Sequence, residues 1–80
     1  MTAAEAFASA ERRAAFRALA ARIFGVPVET LADTTSRVSL AEWDSINHLR
    51  LVMESEAAFE VHYALERIPA LETLADFYKD

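Results

Sequence analysis

Cysteine is absent from the eighty residues, which excludes a disulfide framework, a cysteine-based metal site and an intrinsic thiol nucleophile. Any thiol chemistry has to arrive on an imported group. Glycine occurs once and proline twice, too few for the special backbone positions that hairpins and tight turns need, so the chain should be helices joined by short connections. No apolar run approaches the ~18 residues of a membrane span. The N-terminus has no charged-then-apolar signal pattern, and the chain is read as cytoplasmic. Basic side chains are the minority, eight Lys and Arg against thirteen Asp and Glu. The resulting net charge of −5 repels nucleic acid and anionic membrane and favours basic partners.

What is present fits one small domain over 1–80, a size that buries only a little over ~60% of the surface its unfolded chain exposes. Over half the residues are apolar, but many are alanines between Ala3 and Ala21, which add helix propensity more than core volume. No nucleophile, base and orienting group occur together, and so small a core leaves no room for a water-excluded active site. The chain is therefore read as not an enzyme. Its charge is uneven. Glu42, Asp44, Glu54, Glu56, Glu60 and Glu66 surround a single Arg50, whereas Arg12, Arg13, Arg17 and Arg22 lie in the first helical segment. The acidic half is the expected docking region; the plain alternative is a solvated face with no partner.

From Ala3 to Phe24 the apolar residues Phe16, Leu19, Ala20 and Ile23 fall on one helix face. Gly25 and Pro27 stop that helix. Its first turns, residues 1–10, lack a comparable stripe and are expected to fray or extend into solvent. Residues 26–43 show no sustained period and read as a long ordered loop. Val28, Leu31, Val38, Leu40 and Trp43 would pin it to the core, with a short helical turn near Ala41. Asp44 and Ser45 are good N-caps for a second helix from about Ser45 to Phe59, whose stripe is Ile46, Leu49, Val52, Met53 and Ala57, with Leu49 and Phe59 buried. Ala64–Arg67 can make one short turn, and after Pro69 the residues Leu71, Leu74, Ala75 and Tyr78 resume helical spacing, Leu74 facing the core. The fold class is all-α, three main helices plus one short one, with the long loop between helices one and two.

Asp-Ser at a helix start caps many helices and is weak alone. Here Trp43-Asp44-Ser45-Ile46 stands after a long loop that follows a Gly25-Val26 helix end, and this resembles the Asp-Ser-Leu signature of acyl and peptidyl carrier proteins. The resemblance continues through Leu49, Leu51, Val52, Met53, Glu56 and Phe59, then Ile68, Leu71, Leu74 and Phe77, covering about Phe16 to Tyr78. It implies a small antiparallel four-helix bundle in which Ser45 carries 4'-phosphopantetheine taken from coenzyme A, attached by a separate phosphopantetheinyl transferase. Acyl or aminoacyl groups would ride on that arm as thioesters. The implied partners are the transferase, an acyl- or aminoacyl-activating ligase and synthase or transferase enzymes, with the carrier a monomer and neither nucleic acid nor membrane involved.

Around the attachment site, Asp44 is read both as the helix cap and as a family-like contact for the transferase, and Ile46 as the third residue of the signature. His48, one turn beyond Ser45, can approach the phosphate when protonated; an ordinary exposed histidine is the alternative. Trp43 is assigned to packing. His48 and His62 do not make a metal site. Three positions depart from the family pattern. Ser55 stands where such carriers commonly have a large aliphatic residue, Arg50 replaces a common acidic residue, and the stretch from Glu60 to Arg67 is short, so any pocket beside it should be shallow. An unmodified helical interaction module using the acidic face is the other reading.

Overall fold

The computed structural model describes residues 1–79. Thr2 and Glu5 cap each other: the Thr2 hydroxyl accepts from the Glu5 N–H at 3.2 Å, and the Glu5 carboxylate accepts from the Thr2 N–H at 3.0 Å. This capping box starts α1, Ala3–Ala6. Ser9 then accepts from the Arg12 N–H at 3.2 Å and starts α2, Ala10–Phe24. The single helix expected over Ala3–Phe24 is therefore two.

The first ten residues are not a frayed extension. Ala3, Ala6 and Phe7 are buried, and they share the i, i+3, i+4 spacing of a helix face whose two alanines are too small to read as a stripe. The Phe7 ring lies 5.3 Å from Phe16, 5.0 Å from Phe59 and 5.1 Å from Tyr78, separations at which aromatic pairs attract. Arg12 Nε donates to the Ala6 carbonyl and Arg13 Nη1 to that of Phe7, which satisfies acceptors the end of α1 would otherwise leave open.

α2 stops where Gly25 takes a left-handed conformation, φ 71°. The N–H groups of Gly25 and Val26 both return to the Ala21 carbonyl, at 2.9 and 3.1 Å. The long loop follows. It holds a 3-10 helix at Val28–Thr30 and a turn in which the Trp43 N–H reaches the Leu40 carbonyl at 3.0 Å, the turn expected near Ala41. Leu31 and Trp43 are buried and Leu40 packs against the core, but Val28 and Val38 are exposed and pin nothing. The remaining anchoring is polar. Arg37 N–H donates to Glu72 O at 2.9 Å, Leu74 N–H to Thr35 O at 3.2 Å and Ala75 N–H to Asp33 O at 2.9 Å. Asp33 also accepts from Arg17 at 2.9 Å and from the Tyr78 hydroxyl at 3.0 Å. Burial and that bond hold the Tyr78 phenol well above its usual pKa.

α3 spans Ser45–Phe59, the range the sequence indicates, but its buried face is not the expected one. His48, Leu51, Val52, Ser55 and Phe59 are buried, while Leu49 is 52% exposed, Ile46 73% and Met53 67%. At 3.6 residues per turn these two sets lie on roughly opposite sides of the helix. Val52 and Phe59 are buried as expected, but Ile46, Leu49, Met53 and Ala57 are not, because the inner face is completed by a histidine and a serine that an apolar count passes over. α3 ends at Glu60 in a left-handed conformation, φ 57°. There Arg12 donates to the Phe59 carbonyl at 3.3 Å and lies over the Phe59 ring at 5.4 Å.

Leu65–Ala70 and Leu74–Tyr78 are 3-10 helices. The closing segment is thus five residues, capped by a Thr73–Asp76 box, with Leu74 and Phe77 buried. The Asp76 carboxyl is held below the ordinary carboxylate range because backbone N–H bonds from Glu72 and Thr73, aided by Lys79, outweigh its partial burial. No strand occurs among the described residues. The class is all-α: α2 packs on α3, Val28–Thr30 on α2, and α1 on Leu74–Tyr78.

Phe7→Ala and Phe59→Ala should each cost about 3–5 kcal/mol of stability, and Leu49→Ala no more than about 0.5 kcal/mol, in urea unfolding. A large loss at Leu49 together with a small one at Phe7 would invert the assigned faces. Ser55 is fully buried and its hydroxyl has no partner among the described residues. Ser55→Ala should therefore raise stability by about 1 kcal/mol; a loss would show that the hydroxyl is bonded in solution.

Candidate functional site at the start of α3

The Asp44 backbone is extended, φ −90° and ψ −177°, which points its carboxylate over the first turn of α3. Oδ1 accepts from the Asn47 N–H at 2.9 Å, and the Asp44 carbonyl accepts from the His48 N–H at 2.8 Å. The Asn47 side chain donates to the Glu42 carbonyl at 2.9 Å. The loop end and the helix start thus hold each other on both sides of Ser45. Ser45, the first residue of α3, is exposed, and no described residue engages its hydroxyl.

Position is fixed from below by Trp43. Its ring is buried, stacked on Phe24 at 5.4 Å and tilted against Phe77 at 6.3 Å, as its assignment to packing requires. Its indole N–H donates to His48 Nδ1 at 3.0 Å. His48 is only 3% exposed, and its Nε2 lies 2.8 Å from the Ile68 carbonyl. Burial pushes its pKa down, reinforced by Arg37 and opposed by the Ile68 bond and Glu72. Both readings of His48 therefore need correction. It is not a surface residue, and with both ring nitrogens committed inward it does not approach a phosphate on Ser45. The reason is the rotated face of α3, which turns position 48 inward and positions 46, 49 and 53 outward.

Ile46 is exposed next to Ser45 and starts the apolar stripe Ile46, Leu49 and Met53. Arg50 lies on that helix, 3.9 Å from Glu54 and 3.5 Å from Asn47, so its charge is partly matched rather than isolated. His62 lies 3.4 Å from Glu56, whose carboxylate also accepts from the Tyr63 N–H at 2.9 Å. Among the described residues no cluster fit for a metal occurs, no pocket opens beside Leu65–Ala70, and no helix is long and apolar enough to cross a membrane. The sequence reading brought out Asp44, Ser45 and Trp43 but missed the Trp43–His48 bond. Their spacing across a helix start is the signal that could have revealed it.

Comparison with models of known families and with curated proteins finds no match to this chain.

Asp44→Ala should lower stability by about 1 kcal/mol through loss of the cap, and Ser45→Ala should change it by less than about 0.5 kcal/mol. Chemical denaturation checks both. Equal losses would mean that Ser45 is itself held by the fold.

Proposed function

We propose that this chain is a carrier protein that bears 4'-phosphopantetheine on Ser45 and presents acyl or aminoacyl groups to partner enzymes, acting as a monomer in the cytoplasm. The observation that supports this reading most is the exposed, unengaged Ser45 hydroxyl at a helix start that Asp44 caps and Trp43 anchors. Because Asp44 takes the Asn47 N–H and the His48 N–H bonds within the first turn, the N–H groups of Ser45 and Ile46 remain for a phosphodiester. The positive end of the helix dipole adds a few tenths to ~1 kcal/mol. When attached, the arm supplies the thiol that the sequence lacks.

The chain's own part is to hold the serine out, keep the helix start rigid and offer a surface. That surface is Ile46, Leu49 and Met53, whose side chains are unburied although apolar, with Arg50 and Glu54 on the same helix. Apolar contact supplies affinity, surrounding carboxylates steer basic partners, and Arg50 biases partner choice. The transferase, an activating ligase and synthase enzymes would dock there. The exposed stripe also suits an unmodified interaction module, which needs no chemistry at Ser45.

Incubation with coenzyme A and a broad-specificity phosphopantetheinyl transferase should add one phosphopantetheine group by intact mass, and none to Ser45→Ala with unchanged helical content. Modification persisting in the variant would place the site on another residue. An unmodified parent chain would favour the interaction module.

A further inference from the structure

The Trp43–His48 contact fixes where the protons are. An indole N–H can only donate, so His48 Nδ1, 3.0 Å away, must accept; a carbonyl oxygen can only accept, so Nε2, 2.8 Å from Ile68 O, must carry the hydrogen. The ring is therefore neutral and both its nitrogens are used. It stacks on Trp43 at 6.0 Å and stands edge-on to Phe77 at 6.0 Å. A proton from solvent can add only to Nδ1, where two N–H groups would then point at each other across 3.0 Å. Protonation and the Trp43 bond exclude one another.

The charged groups that act on this ring are Arg37 from the long loop, which opposes protonation, and Glu72 from the segment before the closing helix, which favours it. What α2 and the closing helix set against the pair is uncharged, Phe24 on Trp43 and Phe77 on both rings. At the cap of α3 the Asp44 carboxylate is occupied by the Asn47 N–H, on α3 Arg50 pairs outward with Glu54, and on the Leu65–Ala70 segment that supplies the Ile68 carbonyl Glu66 and Arg67 are exposed.

We propose that the Trp43–His48–Ile68 hydrogen-bond chain is a latch that positions the Ser45 segment, and that a proton on His48 Nδ1 opens it. His48 is a positioning residue acting through Trp43, two residues before Ser45. The latch stands on its own geometry; only its consequence for loading at Ser45 rests on the carrier reading. Burial lowers the folded-state pKa of His48, while the unfolded chain takes up its proton near the ordinary value of about 6.5. The latch's contribution is therefore complete above about pH 6.5, declines as the pH falls below that, and is fully lost below the folded-state value.

The test is a titration of the full chain from about pH 8 to about pH 4, following the indole N–H resonance of Trp43, the one tryptophan, and the His48 ring nitrogens by NMR. At neutral pH the proton should be found on Nε2. On acidification Trp43 and His48 should shift together with one midpoint below the ordinary histidine range. His48→Gln, which can accept from Trp43 and donate to Ile68 without titrating, should keep the neutral-pH indole resonance and lose the step. Trp43→Phe, which leaves Nδ1 without a facing donor, should move the His48 midpoint upward; it serves as the second variant if the glutamine chain does not fold. His48 titrating with no response at Trp43, a neutral-pH proton on Nδ1, or a step that survives in His48→Gln overturns the latch. The rate of Ser45 modification relative to His48→Gln should fall through the same midpoint, and a flat ratio overturns the positioning role. A clear latch transition in a chain never modified at any pH would uphold the latch and remove the carrier reading.

Discussion

A five-residue 3-10 helix cannot hold itself together, yet Leu74–Tyr78 lies where α1, α2, α3 and the end of the loop converge. Its Phe77 ring is fully buried against Phe16 of α2 at 5.1 Å, His48 of α3 at 6.0 Å, Tyr63 at 5.4 Å and Trp43 of the loop at 6.3 Å. The Tyr63 hydroxyl donates to the Phe77 carbonyl at 2.8 Å. In a chain with so much alanine, rings supply the volume that the aliphatic residues do not, and the closing segment is ordered by packing rather than propensity.

The same constraint explains the loop. Its carbonyls at Asp33 and Thr35 accept from the N–H groups of Ala75 and Leu74, at 2.9 and 3.2 Å, so loop and closing helix order each other. Trp43 at the loop's end inserts between Phe24 and Phe77. The first exposed residues after that anchor are Asp44 and Ser45. Core and candidate site are one construction: the serine is presented because the tryptophan beneath it is held.

α3 is unusual in what it hides. His48 and Ser55 are buried while Ile46, Leu49 and Met53 face outward. Burying a histidine is tolerable when both nitrogens are bonded, as they are here. The two choices are linked, since a helix rotated to bury Ile46, Leu49 and Met53 would carry His48 outward and break the bond to Trp43.

Much of the architecture was legible because it depends on neighbours in sequence. Asp44 caps the helix it starts, Gly25 turns the chain out of α2, and the scarcity of glycine and proline excluded hairpins. Even α1 was written in Thr2-x-x-Glu5 and Ser9, although two alanines concealed its stripe. The helix start at Asp44 and Ser45 was legible for the same reason, since a cap is a local event, whereas Ser45 was singled out as a candidate site only by the longer resemblance from Phe16 to Tyr78. The inward face of α3, the order of residues 1–10 and the pairing of Trp43 with His48 were decided by tertiary structure. Each depends on which surfaces meet: the side of α3 that buries Leu51, Val52 and Phe59 also carries His48 onto Trp43, and periodicity along one segment does not register a partner supplied by another.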